Sequence, residues 1–79
     1  MAAILYSAPG CVQCNRVKEY LDTNPDLKAL VEIKNAPDCM DEVVKYGIRS
    51  VPNLVVNEIA HPISTVSNED IKKLILGEN

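Results

Sequence analysis

Five consecutive apolar positions, Ala2-Ala3-Ile4-Leu5-Tyr6, open the hydrophobic pattern of this chain and stop at Ser7-Ala8-Pro9-Gly10. The run lacks the alternation of a half-exposed strand and the length of a helix. It predicts a strand buried on both faces, in a sheet with helices on either side. From Cys11 to Asp22 the period lengthens. Cys14, Val17, Tyr20 and Leu21 share one helical face, and Arg16, Lys18 and Glu19 fall away from it. Thr23-Asn24-Pro25-Asp26 breaks this helix, because proline has no N–H with which to continue it. Leu27 to Ile33 then reads as a second strand and Asn35-Ala36-Pro37 as a loop.

Further on, Asp38 predicts an N-cap for a helix over Cys39 to Tyr46, and Gly47 stands just past its end. Leu54-Val55-Val56 and Ile59-Ala60-His61 are two short strands on either side of Asn57-Glu58. Asn-Glu is not one of the strong hairpin dipeptides, so the turn type stays open. Ser67 caps a last helix, with Asp70 three residues later in an imperfect capping box. Ile71, Leu74 and Ile75 are its apolar stripe and Gly77 its end. The order βαβ, α, ββ, α predicts an α/β fold: a four-stranded mixed sheet with three helices, distributed over both faces.

Composition narrows the function classes. The chain has 79 residues, which read as one domain over 1–79 with a modest core and a thin stability margin. A formal charge of −3 with scattered basic residues argues against nucleic acid as the main partner. The N-terminal stretch lacks a basic region and is too short for a signal peptide or a membrane span. No later apolar run reaches spanning length, and the expectation is a soluble, cytoplasmic, monomeric protein. Three cysteines, two of them in Cys11-Val12-Gln13-Cys14, suit reactive thiols in a reducing compartment better than a disulfide scaffold.

The Cys-x-x-Cys falls where strand gives way to helix. A thiol there faces unpaired backbone N–H groups and the positive end of the helix dipole, and both favour the thiolate. Cys11 is therefore the expected nucleophile. Cys14, inside the first turn and better shielded, is the expected resolving thiol. Gly10, Val12 and Gln13 flank the two sulfurs and are expected to line the substrate site.

Two other readings compete. Half of a zinc site would need two more ligands, and Cys39 and His61, the only candidates, lack ligand-like spacing. Two ordinary core cysteines are the other alternative, and the position at a helix start favours the redox pair over both.

The strand–Cys-x-x-Cys–helix start, the stretch Tyr46-Gly47-Ile48-Arg49-Ser50-Val51-Pro52-Asn53-Leu54 and the order of elements together resemble the thioredoxin superfamily over essentially the whole chain. Ser50-Val51-Pro52 is similar to the Thr-Val-Pro of glutaredoxins, and Tyr46-Gly47-Ile48-Arg49 to thioredoxins. The resemblance implies a cis Val51–Pro52 bond beside the cysteines. The backbone of Val51 would then pair with a bound peptide or glutathione. Cys11-Val12-Gln13-Cys14 itself is similar to small glutaredoxin-like redoxins that deliver electrons to ribonucleotide reductase.

The chain departs from both groups. It has no Trp before Cys11, no lysine shortly before the motif, and no glycine pair in Ser64-Thr65-Val66-Ser67-Asn68-Glu69-Asp70. The resemblance implies no bound cofactor, and glutathione as a candidate co-substrate. It also implies disulfide-containing client proteins, ribonucleotide reductase among them, and glutathione or a thioredoxin reductase as reductant. A thioredoxin-fold module holding zinc or an iron–sulfur cluster through Cys11 is the alternative.

Six other positions carry weaker signals. Cys39 reads as a small apolar residue under its helix, or as a third redox-active thiol. His61 beside Pro62 reads as an edge-strand surface residue. Tyr6, at the end of the first strand, is placed in the substrate groove, with core packing as its other reading. Arg16, Lys18 and Arg49 read as solvated charges near Cys11.

Overall fold

The computed structural model describes residues 3–77. Strand β1 (Ala3–Ser7) is central. Strand β2 (Val31–Asn35) pairs with it in parallel, β3 (Asn53–Val56) antiparallel on its other side, and β4 (Ile59–Pro62) antiparallel to β3, giving the order β2-β1-β3-β4. This is the four-stranded mixed sheet that the sequence predicts. Helix α1 (Val12–Asp22) joins β1 to β2, α3 (Met40–Tyr46) precedes β3, and α4 (Asn68–Leu76) follows β4.

Because successive side chains on β1 point to opposite faces, the strand feeds two cores. Ala3 and Leu5 pack with Val17 and Leu21 of α1, Leu54 of β3, and Ile71 and Ile75 of α4. Tyr6 packs on the other side with Ala36, Ile48 and Val55, beneath Val43 of α3. A strand covered on both faces has no exposed side on which to place polar residues, which accounts for the unbroken apolar run.

The second element of the chain differs from its sequence reading. Pro25–Lys28 is a short helix, α2, and the strand begins only at Val31. Proline suits the first turn of a helix, where its missing N–H has no partner in any case, so Pro25 both ends α1 and starts α2. Leu27 points into the core from α2 and is nearly fully buried. The structure thus has four α-helices among the described residues, where three were expected.

Asp38 is likewise not the cap of α3. It closes a 3-10 turn over Ala36–Asp38, and Cys39 occupies the N-cap position without a side-chain cap bond. Gly47 terminates α3 in the left-handed region at φ 67°, and Ser67 caps α4, its hydroxyl accepting from the Asp70 N–H at 3.2 Å. The two-residue turn between β3 and β4 is resolved: Asn57 and Glu58 both have positive φ, 51° and 65°, as type I′ geometry requires.

Candidate active site

Cys11 is the N-cap of α1, with extended backbone angles, and its carbonyl accepts the first intrahelical bond from Asn15 at 3.1 Å. Its sulfur also accepts a hydrogen bond from the Cys14 N–H at 3.1 Å. Gly10, at φ 73°, turns the chain from β1 into this position, a conformation that a residue with a Cβ adopts only at a cost. Cys11 and Cys14 are paired as a disulfide with Cα atoms 5.2 Å apart. Their environments differ. Cys14 is fully buried on the face shared with Val17 and Leu21, and Cys11 is half-buried at the surface.

Across from the thiols, the Val51–Pro52 bond is cis, and the Val51 carbonyl oxygen lies 3.9 Å from Cys11 Sγ. Pro52 is buried, and its carbonyl accepts from the Ile63 N–H at 3.1 Å. Gly10, Val12 and Gln13 are exposed around Cys11, with the apolar Val12 77% exposed. A groove of about 310 Å³ runs from Val51 along α3, lined by Ala8, Pro37, Met40, Val43, Ile48 and Arg49 among others.

Tyr6 does not belong to this site, and its assignment to the substrate groove is corrected. Its side chain has no exposed surface, and its hydroxyl donates to Glu42 Oε1 at 2.7 Å. In-and-out alternation at the end of β1 aims it under α3, into the buried cluster with Ile48 and Val55. Burial, and then the bond to Glu42, push the Tyr6 pKa well above its usual range. Glu42 also accepts from Lys34 Nζ at 2.8 Å. The bond from Lys34 and then that from Tyr6 hold the Glu42 carboxyl below its ordinary value. Lys34 is pushed up in turn, chiefly by the same bond.

Cys39 is a free, half-buried thiol beside this cluster. Burial, followed by the negative charge of Glu42, raises its pKa, the opposite of what an activated thiol needs. Cys39 also stands at a helix N-cap, but its side chain receives no cap bond, where the Cys11 sulfur receives the Cys14 N–H. His61 lies on the edge strand β4. Among the described residues no group of three or more His, Cys, Asp or Glu side chains is arranged to hold a metal ion.

The sequence reading missed Arg16. Read as a solvated charge, it is instead half-buried and hydrogen-bonded to Gln13, Asn68 and two backbone carbonyls. Its position outside the apolar stripe of α1 gave no sign of this, because three of its four partners lie in residues 63–68, more than forty residues on.

A helix-capping cysteine with its partner, beside a cis proline where the inner strand β1 ends and its neighbour β3 begins, is the arrangement the resemblance implied. The family comparison agrees, with the glutaredoxin family model matching residues 3–59. The chain belongs to the glutaredoxin family. No individual curated protein and no solved structure matches it significantly. Membership carries with it a glutaredoxin-like role in thiol–disulfide chemistry, and Cys11 and Cys14 are the pair placed to perform it. No helix among the described residues is long and apolar enough to cross a membrane.

Proposed function

We propose that this glutaredoxin is a dithiol electron carrier that reduces disulfides of client polypeptides. The observation that carries the reading is the asymmetry of the pair. The half-buried Cys11 at the surface receives the Cys14 N–H on its sulfur at the start of α1, and Cys14 is fully buried behind it. In the reduced protein the free N–H groups and helix dipole favour a thiolate on Cys11. That thiolate attacks one sulfur of the client disulfide. A Cys11–client bond forms, the client S–S bond breaks, and the departing sulfur leaves with the electron pair and takes a proton from water. Cys14, deprotonated to solvent, then attacks Cys11 Sγ. The Cys11–Cys14 bond forms and the client leaves as a second thiolate. The client gains two electrons and, once its second thiolate is protonated from water, two protons. The protein gives up two electrons, and its two protons go to solvent, that of Cys11 on forming the thiolate and that of Cys14 before its attack.

Val51 supports a peptide backbone laid beside Cys11, a minimal form of strand addition. The groove next to it favours a polypeptide with an apolar side chain near its disulfide. Met40, Val43 and Ile48 line it, and Arg49 is its one charged residue. Glutathione or a thioredoxin reductase returns the carrier to the dithiol form, ribonucleotide reductase is one candidate client, and the cytoplasm is the compartment that keeps such a pair reduced.

Cys14→Ser tests the scheme. The variant should accumulate a mixed disulfide on Cys11, seen by intact mass, and should lose turnover on an insulin-like protein disulfide. Full protein-disulfide turnover in Cys14→Ser would overturn the two-thiol mechanism.

A further inference from the structure

Arg16 lies on α1 two residues beyond the Cys11–Cys14 motif, and its guanidinium reaches two elements at once. Nε donates to Gln13 Oε1 at 2.8 Å, and Nη1 donates to Asn68 Oδ1 at 2.6 Å. Nη2 donates to the Val66 carbonyl at 3.1 Å and the Ile63 carbonyl at 3.4 Å. None of the ion pairs among the described residues includes Arg16, and all four of its acceptors are uncharged. Its charge is thus not committed to a carboxylate, and four of its five N–H donors are used.

The two things it joins both connect to the redox site. Gln13 stands between the redox cysteines. The segment starting at Ile63 is bonded to Pro52, since the Ile63 N–H donates to the Pro52 carbonyl. A continuous run of hydrogen bonds therefore leads from Gln13 through Arg16 and residue 63 to the proline facing the thiols. A planar guanidinium with five donors is suited to such a junction, and a lysine ammonium carries the same charge without the fork.

We propose that Arg16 is a positioning residue of the redox site, holding Gln13 and the 63–66 segment together as one fixed wall beside the cysteines at which a client disulfide is seated. This inference rests on the reading of Cys11 and Cys14 as a disulfide-exchange pair. The wall acts on how the disulfide is held for attack, since exchange depends on the alignment of the reacting sulfurs. Arg16 does not act on the thiolate itself.

The test is single-turnover reduction of a disulfide-bridged peptide by an excess of the fully reduced protein. Wild type, Arg16→Ala, Arg16→Lys and Asn68→Ala are compared below their melting temperatures. In parallel, Cys11 alkylation is followed against pH. Arg16→Ala should raise the half-saturating concentration by about tenfold, less than the hundredfold a 1 Å misplacement costs. Arg16→Lys should behave like Arg16→Ala, and the alkylation profile of Cys11 should stay that of the wild type.

Recovery of wild-type half-saturation in Arg16→Lys would overturn the proposal, because charge without the fork would then suffice. So would a shifted alkylation profile with half-saturation unchanged. If Arg16→Ala does not fold, Asn68→Ala, which removes one acceptor, should still raise half-saturation measurably, and an unchanged value there sinks the idea. A wild type that fails to reduce the peptide removes the exchange reading and the inference together. Turnover in the wild type with no change in the variants removes the inference alone.

Discussion

Tyr6 and Cys11 lie at either end of the turn that leaves β1, and small differences in direction give them unrelated roles. Tyr6 faces into the sheet and shares Glu42 with Lys34. Removing its hydroxyl leaves Glu42 one donor short, while the ring still fills the same space. Tyr6→Phe should therefore lower stability by about 1 kcal/mol, a fall of several degrees in melting temperature followed by circular dichroism. Peptide-disulfide turnover should not change, because the ring keeps its place in the buried cluster with Ile48 and Val55 and only the hydroxyl that faces Glu42 is lost. A loss of turnover in a folded Tyr6→Phe would return the residue to the groove.

The site residues legible in the sequence were those whose role depends on local chain position. A cysteine pair at a strand–helix junction needs only spacing to be recognised. Tyr6 and Arg16 depend on which distant segment lies opposite, and local pattern carries no record of that.

At the scale of elements, the β3–β4 turn places a non-glycine residue in the left-handed region twice running. Asn57 tolerates this and Glu58 does so less well, since left-handed backbone costs an ordinary L-residue about 1–2 kcal/mol. Glu58→Gly creates the Asn-Gly pair that type I′ turns prefer, and its larger unfolded-state entropy offsets part of the gain. The net effect should be a stabilisation of about 0.5–1 kcal/mol, read as a higher urea midpoint. A lower midpoint would mean that the Glu58 side chain matters more than its backbone.

Helix α3 is tied to the sheet through Glu42, which gives a pH signature. Its carboxyl is held low by Lys34 first and Tyr6 second, so the folded state keeps the proton off more strongly than the unfolded chain. That stability is fully present above the ordinary carboxylate range, about pH 4.3, and is lost as pH falls through the lower folded value. Lys34 has the opposite sign. It binds its proton more tightly when folded, so its contribution disappears as pH climbs past its raised value. Glu42→Gln should be less stable than wild type at pH 7, with the gap closing toward pH 3, by urea denaturation at both. An equal gap at both values would show that the carboxylate charge is not what matters.

The same scale shows where the pattern misled. Leu27 and Val31 are both buried, and a continuous strand through them satisfies the apolar count. Pro25-Asp26-Leu27-Lys28 satisfies it equally well as one helical turn, and apolar runs this short carry too few periods to separate the two. By contrast α1 and α4, with caps at their starts and buried residues one turn apart, were readable to within a residue.

For the whole molecule, a chain of this length commands a total stability of about 4–12 kcal/mol. Leu54 is almost completely buried in the core formed by β1, β3, α1 and α4. Leu54→Ala should cost about 2–5 kcal/mol, a large share of that total, and should bring the urea midpoint down sharply with the slope unchanged. A shift comparable to that of a surface substitution would mean that this core collapses around the gap.

The sheet order has a separate consequence. Strands β1 and β2 with α1 form one half of the molecule, and β3 and β4 with α4 form the other; the halves share a single ladder, β1 against β3. Cys11 belongs to the first half and Val51-Pro52 leads into the second. A ligand seated across them is held by both halves at once. It works as a removable staple over the seam, so occupancy of the groove shifts the unfolding equilibrium of the entire protein by mass action. Thermal upshift on adding a non-cleavable mimic of the bound peptide would then report binding even where no electrons move.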